Sequence, residues 1–258
     1  MLLETLNILE GLDLKAMGAN STDYIHTVHE AIKLAYDDRN AFLGDPKFVA
    51  VPLKGLLSKA YATERRKLIG PAAYMDHRPG DPFAFDPDIK PPATRYLPHA
   101  QGEKESGSGD TTCVNTVDRD GNLFSATPSS GWMLGGAFIA GDTGVPLSNR
   151  MQAFDLDPLS PNVLVGGKRP RTTLTPTIVL KDGKPFLALS TPGGDSQDQQ
   201  VLNVLLNVIV FEMDLQVAIE APRINSNHPH SSFDNHESVP GQLEIESRVS
   251  PRVMADLV

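Results

Sequence analysis

The hydrophobic pattern separates a helical first part of the chain from a later part rich in strands. Apolar residues recur at helical spacing over residues 1–10 and 22–42, and a third short helix is predicted over residues 58–68. On the longest of these helices the apolar positions fall roughly on one face, which predicts packing of that face against a core. Residues 1–70 therefore form a predicted helical unit.

Prolines and glycines dominate the next segment. Seven prolines interrupt residues 71–98, and the segment ends in the polar, glycine-rich run QGEKESGSGD at residues 101–110. This composition predicts an exposed, mobile linker. An unstructured stretch of this length is unusual inside a compact domain, so we expect it either to be functional or to be a processing site.

The periodicity changes to that of strands at residue 111. Two hairpins are predicted, each around an Asp-Gly turn, and two helices and one strand follow. The predicted hairpin strands are 112–117 with 122–127 and 177–180 with 186–189, the helices are 197–211 and 215–221, and the strand is 242–246. The remainder of the tail, from residue 224, reads as loop. This order predicts an α+β fold with mostly antiparallel sheets.

Composition and charge exclude several classes of protein. Hydrophobic residues make up 40% and charged residues 21% of the 258, which is typical of a globular chain. The net charge of −9 argues against nucleic acid or an anionic membrane as a partner. No apolar run reaches the ~18 residues of a membrane helix. The start of the chain lacks a signal-peptide pattern, so its location stays open and is cytoplasmic by default. Cys113 is the only cysteine, which excludes an intrachain disulfide.

The junction between linker and first strand is a candidate site of self-cleavage. The sequence there is Gly109-Asp110-Thr111-Thr112. Cleavage before Thr111 would free its α-amine, whose usual pKa of about 7.7–8 lets it act as a base toward the threonine's own hydroxyl. These few residues alone are also compatible with an ordinary strand start.

Two further segments carry candidate chemistry. The glycine pair in Thr191-Pro-Gly-Gly-Asp195 lies between a strand and a helix, where backbone N–H groups can form an oxyanion hole. Asp195 is then expected to cap the helix. Thr172 and Thr173 follow basic residues and could bind a carboxylate, although a strand entry also favours threonine. His228 and His230 form a weak metal candidate, since no recognisable ligand set completes them.

Taken together, these segments resemble the γ-glutamyltransferase (glutathione hydrolase) family of N-terminal-nucleophile hydrolases. The matching stretches occur in the family's order: GDTTCVNTVDRDGNLFSATPS, GDTGVPLSNRM, KRPRTTLTPTIVLKDGKP, STPGGDSQDQQ and AIEAPRI. Residues 7–46 are also similar to the helical end of the family's large subunit. The resemblance implies the αββα sandwich, here incomplete, with antiparallel sheets flanked by helices.

The resemblance assigns expected catalytic roles. Thr111 matches the nucleophile, which becomes the first residue of the small subunit after autocleavage at Asp110–Thr111. Ser129 falls where the family has a second hydroxyl that supports the nucleophile. Gly193 and Gly194 match the pair whose amides form the oxyanion hole. No metal or cofactor is implied.

The expected substrate contacts depart from the family's pattern. Thr172 and Thr173 stand where the family holds a substrate carboxylate with two serines. Gly131, Arg150 and Ala153 stand where well-studied members use Asn, Gln and Asp to bind the α-amino group of glutamate. Since arginine repels an ammonium and alanine cannot pair with one, we expect an acyl group without that amine, or with an extra carboxylate, such as glutaryl. This pattern is similar to that of the divergent cephalosporin acylases.

The implied organisation has three parts. Residues 1–70 are the helical end of a large subunit, residues 71–110 the linker ending at the cleavage site, and residues 111–258 a small subunit without its last strands. We expect a heterodimer of these fragments acting on a γ-glutamyl or acyl-amide substrate with water or an amine as acceptor, and a complementing chain could supply the rest. The alternatives are an inactive remnant or binding module of the same fold, and a Cys113 nucleophile.

Overall fold

The computed structural model describes residues 1–98, 109–132, 135–233 and 235–258. The glycine-rich run at residues 101–108, predicted to be part of the linker, lies outside these ranges. The backbone on both sides of the expected cleavage site, Asp110 and Thr111, is within the first strand and therefore within the described part.

Helices occupy the first part of the described chain and return after the strands. Their bounds are Leu2–Leu9 (α1), Leu14–Met17 (α2), Thr22–Phe42 (α3), Leu53–Leu56 (α4), Lys59–Arg66 (α5), Gln197–Ile209 (α6), Leu215–Glu220 (α7) and Pro251–Asp256 (α8). The five helices predicted from the sequence are confirmed to within two residues at each end. Within the described ranges, no helix is both long enough and apolar enough to cross a membrane.

Helix α3 forms the centre of the molecule. Its first turn is capped by Ser21, whose Oγ accepts a hydrogen bond of 3.1 Å from the amide of Tyr24. The helix is buried on nearly every side, not on one face, so polar residues along it are also buried. Lys33 and Glu30 illustrate this, since both side chains are fully buried and pair at 2.5 Å. The main core surrounds this helix and includes residues of α1 and α6.

The described strands form four antiparallel pairs. The strands are Gly109–Thr111 (β1), Val114–Val117 (β2), Leu123–Ala126 (β3), Ser129–Trp132 (β4), Thr177–Lys181 (β5), Lys184–Leu189 (β6), Ile224–Ser226 (β7) and Leu243–Ile245 (β8). The pairs are β1 with β4, β2 with β3, β5 with β6 and β7 with β8. Both predicted hairpins are confirmed. At the β5–β6 turn Asp182 and Gly183 both have positive φ, 53° and 73°, as an Asp-Gly hairpin turn requires.

Two irregular segments make tertiary contacts that the sequence did not predict. Residues 71–98 are mostly exposed, as predicted, but they are anchored to the rest of the molecule, because Tyr74, Asp86 and Tyr96 are buried and Tyr96 donates a hydrogen bond of 2.8 Å to Asp155. The tail is mainly loop and contains the predicted strand as β8, and the structure adds two elements that were not predicted, namely β7, which pairs with β8, and α8. In both cases short segments without clear periodicity are ordered by tertiary contacts that local sequence does not reveal.

Candidate active site

The hydroxyls of Thr111 and Ser129 form a pair at the start of the strand-rich part. Strand β1 pairs with β4 so that Thr111 lies opposite Ser129, with a register shift between Asp110 and Thr111. Their Oγ atoms are 3.0 Å apart. Ser129 Oγ also accepts hydrogen bonds from Arg150 Nη2 at 2.8 Å and from the amide of Gly131 at 3.2 Å. Strand pairing thus places Thr111, the predicted nucleophile, beside the Ser129 hydroxyl, which accepts a hydrogen bond from the cationic Arg150.

A cavity of about 530 Å³ opens beside this pair. Six of the eight predicted catalytic and substrate-binding residues line it, and these are Thr111, Gly131, Arg150, Thr173, Gly193 and Gly194. Ser129 contacts the cavity residues Thr111 and Arg150. Thr172 is exposed and is not among the lining residues, nor is Cys113. The fold therefore brings seven of the eight predicted site residues together.

The glycine turn presents unused backbone donors. Gly193 and Gly194 have φ values of 132° and 57°, which favour glycine. In the described ranges neither amide donates a hydrogen bond, whereas the Gly193 carbonyl accepts from the amide and hydroxyl of Ser196. A Cβ on Gly194 would lie 3.2 Å from the Phe233 ring. Two adjacent amides at a cavity wall are the geometry that stabilises a developing oxyanion.

The following residue, Asp195, anchors this turn to the rest of the molecule. Its carboxylate forms an ion pair with Arg39 of α3 and accepts from the Ser232 amide at 2.6 Å and the Ser232 hydroxyl at 2.7 Å. Its carbonyl accepts a 2.6 Å hydrogen bond from Tyr36. Burial would raise the pKa of Asp195, but Arg39 and Arg171 hold it below its ordinary value. The expectation that Asp195 caps α6 is wrong, because the residue at the cap is Ser196 and it makes no side-chain cap bond.

Arg150 and Thr173 supply polar atoms with unmet hydrogen-bonding capacity. Arg150 Nη1 and Thr173 Oγ1 are both buried, and neither has a hydrogen-bond partner in the part of the chain that the structure describes. Burial lowers the pKa of Arg150, and the carboxylate of Asp195 opposes this effect. Unsatisfied buried donors are costly unless a ligand completes them. The two groups are therefore suited to an anionic or strongly hydrogen-bonding substrate.

The wall near Gly131 leaves no room for a longer side chain. Gly131 has a φ of 102°, and a Cβ there would lie 2.0 Å from Asn149 Oδ1. Ala153 is buried and is not one of the lining residues. This part of the cavity offers an arginine where a carboxylate would be needed to hold an ammonium.

One group of side chains has the spacing of a metal site. Asp37, His77 and His228 each place a ligand atom within 4.8 Å of the others. However, the amide of Gly241 donates a 3.0 Å hydrogen bond to His228 Nδ1, so Nε2 of the neutral ring carries the proton and faces Asp37. A nitrogen that carries a proton cannot bind a metal ion, so these groups are arranged as a hydrogen-bond network. The predicted candidate His230 directs Nδ1 to the carbonyl of His236 at 3.4 Å.

Sequence reasoning missed the opposite wall of the cavity. This wall consists of residues from the end of β7 and from the segment that leads to β8, and its members are Asn225, Ser226, Asn227, Pro229, Ser231, Phe233, Glu237, Ser238 and Val239. Their shared property is a polar, proline- and histidine-containing sequence without periodicity. The unusual density of side-chain hydrogen-bonding groups in this loop was the feature of the sequence from which the cavity wall could have been predicted.

Comparison with known proteins gives the class and then the family. The structure of a cephalosporin acylase from Bacillus halodurans matches 99% of this chain and 40% of that chain, with 30% identity and a TM-score of 0.75. A structure named LmbA2991HD matches 99% of this chain and 44% of that chain, with 38% identity and a TM-score of 0.84. The fold is thus the α+β fold of the N-terminal-nucleophile hydrolases, as the sequence predicted.

The chain belongs to the gamma-glutamyltranspeptidase family, whose model matches residues 1–258. The glutathione hydrolase proenzyme of Bacillus subtilis (strain 168) is 36% identical over 239 residues, which is 93% of this chain and 40% of that protein. The chain therefore spans about two fifths of the length of this relative. The family resemblance stated from the sequence is confirmed.

Proposed function

We propose that this chain acts as an N-terminal threonine amidohydrolase or acyltransferase after cleavage of its own Asp110–Thr111 bond. The observation that carries the proposal is the Thr111–Ser129 hydroxyl pair, 3.0 Å apart, at a cavity that the Gly193–Gly194 turn also lines. The names of the relatives agree with this chemistry, since they include glutathione hydrolase and acylase proenzymes.

The proposed reaction uses one residue as nucleophile and base. The freed amine of Thr111 takes the proton of its own hydroxyl as Oγ attacks an amide carbonyl, and it later gives that proton to the leaving amine. The amides of Gly193 and Gly194 stabilise the oxyanion. Water or an acceptor amine then attacks the acyl-enzyme and releases the acid or a new amide. The reaction needs no metal or cofactor.

The proposed acyl group is γ-glutamyl-like and carries a carboxylate, with the glutaryl type favoured. Arg150 Nη1 and Thr173 Oγ1 provide buried donors for that carboxylate. The same arginine would repel the α-ammonium of a γ-glutamyl group, and the strained backbone at Gly131 opposes an asparagine there. A substrate without the ammonium avoids this repulsion.

After cleavage the two fragments would stay together as a heterodimer. Contacts that cross the cleavage point include the Arg39–Asp195 ion pair and the hydrogen bond from Tyr36 to the Asp195 carbonyl.

Processing is tested on a denaturing gel. Dividing the 27.9 kDa chain in proportion to 110 and 148 residues gives fragments of about 12 and 16 kDa. Thr111→Ala should give one uncleaved band, while the matched control Thr112→Ala, at the exposed neighbouring residue, should still be cleaved. A single band from the unaltered chain would instead favour the inactive remnant or binding module.

Acyl preference is tested with glutaryl and γ-glutamyl p-nitroanilides. The glutaryl compound should be hydrolysed faster, and Arg150→Met should remove that preference. Arg119→Met is the control, because Arg119 is 93% exposed in the β2–β3 turn. A clear preference of the unaltered enzyme for the γ-glutamyl compound would contradict the proposed acyl group.

A further inference from the structure

A second hydroxyl at the cavity is connected to a histidine and a buried carboxylate. Ser238 lines the cavity, and its Oγ lies 3.1 Å from His77 Nε2. The other ring nitrogen of His77, Nδ1, lies 2.7 Å from Asp37 Oδ1. A serine that contacts Nε2 of a histidine whose Nδ1 contacts a carboxylate is the arrangement of a serine-hydrolase triad, which is recognised by geometry on any fold.

Asp37 is held as an ionised carboxylate. It is fully buried on α3, and its Oδ2 accepts a 2.7 Å hydrogen bond from the amide of Arg78. His228 Nε2 adds a second N–H at 3.5 Å from Oδ1. Burial alone would raise the pKa of Asp37, but the nearby His228 ring and the hydrogen bonds from His77 and the Arg78 amide lower it to about 2. Since the Asp37 carboxylate can only accept, the 2.7 Å contact places the proton on His77 Nδ1 and leaves Nε2 as the ring nitrogen that faces Ser238 and can accept its proton.

The Ser238 hydroxyl has two acceptors within reach. Its Oγ lies 2.6 Å from the carbonyl of His228 and 3.1 Å from His77 Nε2. The carbonyl holds the proton in the resting arrangement, and rotation about the Cβ–Oγ bond turns it to His77. A single bond rotation therefore gives the arrangement of nucleophile and base.

We propose that Asp37, His77 and Ser238 form a second nucleophilic site at this cavity, which reacts with activated esters and phosphoryl fluorides independently of Thr111. In the acyl reaction Ser238 Oγ forms a bond to the ester carbonyl carbon while His77 takes the hydroxyl proton. The ester C–O bond then breaks, and the leaving alkoxide takes the proton from His77. Water hydrolyses the acyl-serine with His77 again as base, so the net change is ester plus water to acid plus alcohol.

The test uses diisopropyl fluorophosphate on the Thr111→Ala chain. Ser238 Oγ should displace fluoride and form one phosphoryl adduct, located at Ser238 by peptide mass spectrometry. Removing the general base with His77→Gln should slow labelling about 100-fold or more. Adding Ser238→Ala should abolish it. The Thr111→Ala background separates this site from the proposed function, so either one can fail alone.

Ser231→Ala is the matched control. Ser231 also lines the cavity, but its hydroxyl donates to the Phe233 carbonyl at 3.2 Å, and its loss should leave labelling unchanged. Unfolding the Thr111→Ala chain in urea should remove the reactivity, which provides a second test if His77→Gln does not fold. The proposal is overturned if no adduct forms, if the adduct lies elsewhere, or if the folded His77→Gln chain or the unfolded chain is labelled at the same rate.

Discussion

The ion pair between Arg39 and Asp195 is predicted to stabilise both the fold and the glycine turn. Asp195→Asn would remove one negative charge. It would also place an N–H donor opposite other donors, because Arg39 and the Ser232 amide both donate hydrogen bonds to this side chain. The Arg39 and Asp195 side chains are 6% and 19% exposed. Breaking a buried ion pair costs about 3–5 kcal/mol, and the partial exposure of Asp195 puts the expected loss of folding free energy at about 3 kcal/mol.

The assay is urea unfolding followed by far-UV circular dichroism. Asp195→Asn should lower the urea midpoint without changing the slope. Asp88→Asn is the matched control, because Asp88 pairs with Lys54 at the surface, where the two side chains are 66% and 73% exposed. This variant should leave the urea midpoint unchanged.

A double-mutant cycle separates the pair from other contacts. Arg39→Gln and Asp195→Asn together should cost less than the sum of the single changes, by about 1 kcal/mol or more. Purely additive effects, or an Asp195→Asn midpoint equal to that of Asp88→Asn, would refute the reasoning. The charge of Asp195 stabilises the fold above the ordinary carboxyl pKa, because its folded pKa is lowered. The difference between wild type and Asp195→Asn should therefore shrink as the pH falls through that lowered pKa.

Two further predictions concern a strained glycine and a buried carboxylate. Gly131→Asn should destabilise the fold by about 1–3 kcal/mol, because the φ of Gly131 is 102° and a Cβ there would lie 2.0 Å from Asn149 Oδ1. Gly70→Asn is the control, because Gly70 has open space around it and no positive φ, and it should cause no such loss. Equal urea midpoints for the two variants would contradict this prediction. The pKa of Asp37 is lowered from 3.8 to about 2, so its charge should stabilise the fold by about 2 kcal/mol above pH 4, and this contribution is lost as the pH falls toward 2. The free energy of unfolding of Asp37→Asn should therefore fall less between pH 4 and pH 2 than that of the unaltered chain. Parallel plots of unfolding free energy against pH would contradict this prediction.

Much of the local structure was determined by the sequence alone. The helical period of residues 22–42 predicted α3 within its observed bounds, and the Asp-Gly turns predicted both hairpins. These features depend on neighbouring residues, so a single sequence suffices to find them. The family and its fold also followed from the sequence, because several motifs occurred in one order.

The tertiary structure alone decided how the site is supported. Asp195, two residues before the start of α6, was predicted to be a helix cap, yet its carboxylate pairs with Arg39, which is 156 positions away in the chain. The residues between β7 and β8 are a loop, as predicted, but only the tertiary structure shows that they form a cavity wall and place Ser238 beside His77. Such contacts join segments that are distant in sequence and leave no periodic trace. They are set by the packing of buried polar groups, each of which must find a partner wherever the fold provides one.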